Sequence, residues 1–368
     1  MRNSLLLKRE KSEGKLRDLF RFGNVTNSIL KDPGEEVYQY LSDYISIENK
    51  RTIVMMTKTS FNIDALSDNY FTTLVNFARI NDIPRINKFF HAINQKLPMD
   101  GIFVGCAETK GDRKLRLLKK YPPVIGQIYY IFDFIFKRIF PKLPFTKKIY
   151  FKITEGRNRV ISWTETLGRL YSSGFNIIDE KKINGKMYFV VKKVDEPSLD
   201  VEPSYGPICK MKRFGQHGKV INVYKFRTMH PFSEYLQQYI YDKNSLREGG
   251  KFNNDFRIST VGSFMRKYWI DELPMLANLI KGDIKLVGVR PLSQQYLGLY
   301  SPELKEKRLK HKPGLIPPFY ADLPKTLDEI MRSEMNYLTQ YEKNPVTTDI
   351  KYFFKTLQTI LFKKARSK

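Results

Sequence analysis

The sequence predicts two mixed α/β domains in one chain: an N-terminal layer of helices and strands over residues 1–194, and a C-terminal α+β domain over residues 208–368 with amphipathic helices. Three observations carry this expectation. Ile86, Phe89, Phe90, Ile93 and Leu97 recur at helical spacing and, after a turn at Pro98–Asp100, lead into an apolar strand at Gly101–Gly105, a helix-to-strand unit of an α/β layer. Residues 195–207 (DEPSLDVEPSYGP) break the periodic segments with prolines, acids and serines and read as a linker. Beyond it, GPICKMKRFGQHGKVINVYKFRTM holds two basic strand-like runs around a turn at Gly215–Gly218. A length of 368 residues leaves room for two cores.

The remaining N-terminal elements follow from the same patterns. Thr164–Tyr171 reads as a helix ended by Ser172, Ser173 and Gly174, and it feeds two strands, Phe175–Ile178 and Met187–Val191, joined around Asn184-Gly185. The longest apolar stretch, Val124–Phe140 (VIGQIYYIFDFIFKRIF), falls short of a membrane span and contains Asp133, Lys137 and Arg138, so no transmembrane helix is expected. Its aromatics, its basic end and the prolines Pro141 and Pro144 suit either an interfacial helix over residues 122–140 or a core helix followed by a loop.

Composition bounds the function. Hydrophobic residues make up 42% and aromatics 14%, which excludes a disordered chain. The excess of 64 Lys and Arg over 38 Asp and Glu, a formal charge of +26, calls for a polyanionic partner: a phosphorylated ligand, anionic lipid or nucleic acid. Cys106 and Cys209 lie in no metal-like or disulfide-like spacing, which fits a reducing compartment. His91, His217, His230 and His311 likewise show no ligand spacing. The leucine run within Met1–Glu10 is too short for the core of a signal peptide.

The chemistry concentrates downstream. Lys225 and Arg227, two apart on a predicted strand, share one face and can present charge to a phosphate, or they can belong to a solvated sheet face. In Asp255–Leu292, the residues Leu273, Leu276, Leu279 and Ile280 form the apolar stripe of a short helix, with Asp271 at its N-cap, Pro274 in its first turn and Gly282 closing it. Capping and the helix dipole account for Asp271 and Glu272 without any chemistry. Arg257, Arg266 and Arg290 bracket the acidic pair, however, and carboxylates, guanidinium groups and helix-terminal N–H groups together suit a phosphate ester with its divalent cation.

Two resemblances extend this reading. The helix, turn and hairpin at 164–191, with LPMDGIFVGCAET, resemble the end of a class I methyltransferase-like fold, which implies a degenerate Rossmann-like N-terminal domain. No glycine-rich strand-to-helix loop precedes these pieces, so S-adenosylmethionine has no candidate site and the domain is expected to be non-catalytic. From about Gly206 onward, GPICKMKRFGQHGKVINVYKFRTM, DFRISTVGSFMRK, the DELP at Asp271–Pro274 and KGDIKLVGVRPL resemble, in order and spacing, the bacterial sugar transferase family of monotopic phosphoglycosyl transferases.

That resemblance implies an enzyme that moves a sugar 1-phosphate from a UDP-sugar onto polyprenyl (undecaprenyl) phosphate at the cytoplasmic face of the bacterial inner membrane, initiating capsule, exopolysaccharide or O-antigen synthesis. By it, Asp271 is the nucleophile, Glu272 the residue associated with Mg²⁺, and Arg266 and Arg290 hold phosphoryl oxygens, with Lys225, Arg227 and Arg257 as further substrate-binding candidates. Downstream glycosyltransferases are implied as partners. The chain departs from the family in two places. A polar linker stands where a hydrophobic re-entrant helix is usual, and KPGLIPPFYA replaces the common KPGITGWAQ, with Ile316, Pro317 and Pro318 in place of Thr-Gly-Trp.

At the C-terminus, Ile350, Phe353, Phe354, Leu357, Ile360 and Leu361 form a helical stripe that Asp349 can cap, among Lys351, Lys355, Lys363, Lys364, Arg366 and Lys368. The stripe suits an anionic membrane surface, or a helix packed on the core. Two rival functions stand beside the enzyme: a membrane-bound pseudoenzyme or scaffold, which the altered KPGLIPPFYA loop would explain, and a nucleic-acid binder, for which no binding motif exists and the DELP pair has no use. No nucleic-acid partner is expected.

Overall fold

The computed structural model describes residues 33–198, 206–237, 239–240 and 255–362. The leucine run near Met1, linker residues 199–205 and the basic tail from Lys363 to Lys368 lie outside them. The chain is mixed α/β and divides into two compact units, Met1–Pro203 with Phe232–Leu236, and Ser204–Pro231 with Gln237–Lys368.

The first unit is built on a five-stranded sheet, β1 (Thr52–Met55), β2 (Thr73–Arg79), β3 (Ile102–Ala107), β4 (Phe175–Ile183) and β5 (Lys186–Lys193), in the order β1-β2-β3-β5-β4. The first three run parallel, and β5 lies antiparallel between β3 and β4. Strand side chains alternate between faces, so each strand feeds two cores. Leu74, Phe103 and Phe189 enter one with Phe89, Phe90 and Ile93 of the helix Ile86–Lys96, whereas Val75, Val104 and Val190 enter the other with Val37 and Leu41 of the helix Glu35–Ser42. β2 is accordingly buried along both faces from Thr73 to Ala78, with the amide of Asn76 satisfied by the Thr57 backbone. The β4–β5 turn has Asn184 at φ 48° and Gly185 at φ 73°, the left-handed pair that a two-residue hairpin demands.

The stretch predicted over residues 122–140 is a helix, Pro123–Phe134, continued by a wider turn Ile135–Ile139, and a second helix follows at Pro144–Thr154. It is not a core helix. Only Gly126 and Asp133 of Pro123–Phe134 are buried, because Val124, Ile125, Ile128, Ile131 and Phe132 face outward.

The second unit holds an antiparallel hairpin of β6 (Ile208–Phe214) and β7 (Val220–Phe226), and a parallel pair of β8 (Lys285–Val287) and β9 (Gly314–Ile316). Its helices include Thr260–Lys267, Leu276–Ile280, Pro302–Lys310, Leu327–Lys343 and Pro345–Phe362. Val287, Val289, Leu304, Tyr337 and Leu338 form its larger core, and Ile221, Val223, Met275 and Ile284 a smaller one under the hairpin.

Two helices here turn most of their apolar stripe outward. Leu273, Leu276 and Ile280 are exposed, while Met275 and Asn278 turn inward. In Pro345–Phe362 the inward residues are Thr348, Tyr352, Thr356 and Thr359, and Ile350, Phe354, Leu357 and Leu361 are exposed. Asp349 is no cap either, since the helix starts at Pro345. Its carboxylate accepts from Lys285 Nζ at 2.9 Å and Tyr337 Oη at 2.6 Å, fastening the helix to β8. Among the described residues no helix is long and apolar enough to cross a membrane.

Candidate active site

Asp271 and Glu272 lie in the first turn of a 3₁₀ segment, Ile270–Met275, and not at the cap of an α-helix. The residue that opens the segment is Trp269, held left-handed at φ 55° and ψ 16°, and no side chain caps it. A left-handed bulky residue costs of order 1–3 kcal/mol, and such strain gathers at functional sites. Backbone bonds hold it there, from Trp269 N–H to the Arg266 carbonyl at 3.3 Å and from Glu272 N–H to the Trp269 carbonyl at 3.1 Å. The capping role expected of Asp271 is therefore absent. Its side chain is 7% exposed, and its Oδ1 is buried without a hydrogen-bond partner. Burial pushes the Asp271 carboxyl above the usual carboxylate range, opposed by the Lys225 charge and reinforced by Glu272.

Lys225, at the end of β7, donates to Glu272 Oε1 at 2.6 Å, and Arg290 Nη2 reaches the same oxygen at 3.4 Å. Burial and the Arg290 charge pull the Lys225 ammonium below its ordinary value, against the attraction of Glu272. Arg266 donates from Nε to Thr228 Oγ1 at 2.9 Å and is close enough to interact electrostatically with Asp271. These five residues form one cluster.

The other two candidates lie differently. Arg227 falls just past the end of β7 and its Nε donates to the Gly206 carbonyl at 2.7 Å. Arg257 makes a two-pronged contact with Asp255, Nε to Oδ1 at 2.8 Å and Nη2 to Oδ2 at 2.7 Å. Burial alone would raise the Asp255 carboxyl, but Arg257 holds it below the usual range.

Supporting residues escaped the sequence reading. Asn278, fully buried, accepts from Tyr224 N–H at 3.0 Å and donates to the Asn222 carbonyl at 2.7 Å, which pins the acidic segment to β7. Arg213 is a further half-buried cation, and burial together with the Arg290 charge lowers its pKa. Arg308 pairs with Glu334, both buried, and its Nη2 donates to the Arg290 carbonyl at 2.5 Å, so a buried ion pair positions Arg290. β8 and β9 meet where Gly288 faces Gly314, and a Cβ on Gly314 would fall into the Gly288 backbone. That approach joins VGVRP to KPGL. The altered loop then turns into Phe319–Asp322, and Tyr320 packs edge-on against Trp269 with ring centroids 5.7 Å apart, two residues from Asp271.

Comparison with known proteins covers this same half of the chain. The model of the family described as bacterial sugar transferase matches residues 200–363. The exopolysaccharide production protein ExoY of Rhizobium meliloti is 30% identical over 155 residues, which is 40% of this chain and 67% of that protein. Through its C-terminal half, the chain belongs to the bacterial sugar transferase family. Galactosyl transferase CpsE of Streptococcus agalactiae serotype III is 32% identical over 161 residues, covering 42% of this chain and 35% of the relative. The undecaprenyl-phosphate galactose phosphotransferase of Salmonella typhimurium is 33% identical over 156 residues, covering 41% and 32%. The chain thus spans only about a third of the length of these two relatives.

For a sugar transferase, the arrangement has a definite chemical capacity. A desolvated carboxylate with an unpartnered oxygen has the chemistry to attack an electrophile, and cations placed around it have the charge to stabilise a phosphoryl group. Among the described residues no group of three or more His, Cys, Asp or Glu side chains could hold a metal by itself. A carboxylate pair beside a diphosphate is nevertheless the usual setting for Mg²⁺, which takes one or two carboxylates and completes its shell from phosphates and water. Glu272, next to Asp271 in the same segment, would supply such a carboxylate and leave Asp271 Oδ1 free.

Proposed function

We propose that this protein transfers a sugar 1-phosphate from a UDP-sugar to polyprenyl phosphate through a covalent Asp271 intermediate. One observation carries the reading: a buried carboxylate whose Oδ1 has no hydrogen-bond partner and which serves no cap, set among Lys225, Arg266 and Arg290. An Asp271 oxygen attacks the β-phosphorus of the UDP-sugar, and the bond to the α-phosphate oxygen breaks, releasing UMP and leaving an acyl phosphate that bears the sugar. An oxygen of polyprenyl phosphate then attacks that phosphorus and frees the carboxylate. Lys225 holds Glu272 in place through the 2.6 Å ion pair, and Arg290 and Arg266 face the phosphoryl oxygens. Mg²⁺ held by Glu272 would neutralise the diphosphate.

The names of relatives support these substrates, since one is called an undecaprenyl-phosphate galactose phosphotransferase and another, from Aeromonas hydrophila, a UDP-N-acetylgalactosamine-undecaprenyl-phosphate N-acetylgalactosaminephosphotransferase. A lipid acceptor agrees with the outward apolar stripe of Pro345–Phe362, interleaved with Lys351 and Lys355. We assign the N-terminal unit, with its parallel strands followed by an antiparallel hairpin, to a Rossmann-like domain without a cofactor. The test is UMP release from a panel of UDP-sugars with polyprenyl phosphate and Mg²⁺. Turnover with one of them is expected. Silence across the panel would instead favour a scaffold, for which the KPGLIPPFYA loop is the structural reason.

A further inference from the structure

A short segment from the second half of the sequence, Phe232–Leu236, is built into the N-terminal unit, while Pro231 before it and Gln237 after it belong to the other unit. Phe232, Ser233 and Leu236 are buried. Their seat is the helix Trp163–Ser172. Gly168 of that helix lies so near the segment that a Cβ on it would stand 2.1 Å from the Phe232 carbonyl oxygen. The next residue, Arg169, lays its guanidinium over the Phe232 ring, 4.2 Å from the centroid. Arg169 is itself fixed, donating to Glu165 Oε1 at 2.7 Å and to Asn87 Oδ1. Burial alone would raise the Glu165 carboxyl, but Arg138, Lys142 and Arg169 hold it well below the usual range, so this anchor stays charged. Phe232 has φ 62°, a left-handed conformation that a bulky residue keeps only where its surroundings impose it. A glycine fitted to one carbonyl, a fixed cation over one ring and a backbone held out of its ordinary range together show that this segment has a single place.

The chain that leads into the segment carries part of the Asp271 cluster. Thr228 stands four residues before Phe232, and its Oγ1 accepts from Arg266 Nε at 2.9 Å. The Thr228 carbonyl accepts from Ser259 N–H at 2.9 Å, and Ser259 caps the helix Thr260–Lys267 that bears Arg266. Gly262 of that helix rests on the Thr228 backbone, since a Cβ there would stand 1.9 Å from the same carbonyl oxygen. His230 N–H donates to the Arg257 carbonyl at 2.7 Å. Residues 228–230 thus set where Arg266 stands, and the chain is next fastened at Phe232.

We propose that the N-terminal unit is a positioning domain for the Asp271 cluster: by seating Phe232 on Gly168 and Arg169 it fixes the downstream end of Thr228–His230, and through Thr228 the guanidinium of Arg266. Gly168, Arg169 and Phe232 are then positioning residues. The kinetic arm of the test rests on the transferase reading, whereas the exchange arm needs no activity.

The experiment uses the full chain with Gly168→Ala. Alanine favours a helix more than glycine does, so the substitution suits the helix Trp163–Ser172 while its methyl displaces the Phe232 carbonyl. Phe232→Gly empties the seat from the other side, because glycine adopts φ 62° freely and only the ring is lost. Gly111→Ala is the control, a helical glycine of the same unit whose Cβ would meet only Thr109 Oγ1 at 3.7 Å. By hydrogen–deuterium exchange and mass spectrometry, the amides of His230 and Ser259 should exchange at least about tenfold faster in Gly168→Ala and Phe232→Gly, and at the wild-type rate in Gly111→Ala. In UMP release, kcat should fall about tenfold or more in the first two, with KM for the UDP-sugar changed less than about twofold, because a misplaced Arg266 fails the charge that develops during transfer. Thr228→Val, which removes the acceptor of Arg266 Nε, should cost a similar factor, and joined with Gly168→Ala it should cost little more than either alone.

Unchanged exchange at His230 and Ser259 in both seat variants would overturn the proposal. So would normal kcat despite faster exchange, or losses that multiply in the double variant, because the seat would then serve only the stability of its own unit. Should Gly168→Ala loosen the sheet strands as well, Phe232→Gly decides, since it adds no atom. A wild type silent toward every UDP-sugar would remove the transferase reading and leave the exchange rates to decide this one.

Discussion

Replacing Asp271 with Asn separates a nucleophile from a structural acid. The carboxylate is 7% exposed, burial raises its pKa, and one oxygen has no hydrogen-bond partner. A group whose folded pKa lies above its unfolded value stabilises the fold while it is protonated, and that contribution is lost as pH rises through the folded pKa. At neutral pH the charge is thus a cost to stability. The Asn variant keeps the shape and removes the desolvated charge, which should stabilise the unit by about 1 kcal/mol, the usual size of a single-substitution effect. For a unit of this size the midpoint rises by about 2–4 °C, readable by scanning calorimetry. Turnover should meanwhile fall at least about 10³-fold, since the Asn amide cannot form the acyl phosphate. The gain should shrink in acid, where the wild-type carboxyl is protonated as well. An Asn variant that is less stable at neutral pH, or that turns over normally, would refute the reasoning.

Three further expectations rest on other contacts. Glu272→Gln should lower turnover and be partly rescued by added Mg²⁺, because the 2.6 Å bond from Lys225 then loses its anionic partner together with the metal ligand; metal-independent kinetics would contradict this. Glu334→Gln should destabilise the second unit by roughly 3 kcal/mol in urea titration, since it leaves the Arg308 charge buried and unpaired, and Arg308→Met with Glu334→Leu should recover most of that loss. Gly314→Ala should cost at least about 2 kcal/mol and most of the activity, because its Cβ would enter the Gly288 backbone and displace the chain that carries Arg290.

The sequence showed those parts of the fold and site that are local. The Asn184-Gly185 turn, the β6–β7 hairpin and the helix Ile86–Lys96 follow from short-range patterns, and the structure contains each of them. The acidic pair and the arginines were visible as residue types. Their grouping was not, because Lys225 and Glu272 are joined across 47 positions of sequence. Asn278, Arg308 and Glu334 read as ordinary helix residues until the chain that they anchor is folded beside them. Asp271 looked like a cap because no propensity places Trp269 in the left-handed region. The helices Leu276–Ile280 and Pro345–Phe362 show a different limit: periodicity locates an apolar stripe but carries no sign for whether it faces in or out, and here polar Asn278, Thr348 and Thr356 took the inner side.

The most direct test of the account is the half-reaction without acceptor. Wild-type protein mixed with a UDP-sugar that it turns over and Mg²⁺, with polyprenyl phosphate withheld, should release at most about one UMP per active site and gain one sugar-phosphate mass on the peptide that contains Asp271. UMP release that appears only when polyprenyl phosphate is present, with no mass gained on that peptide, would contradict the covalent role of Asp271.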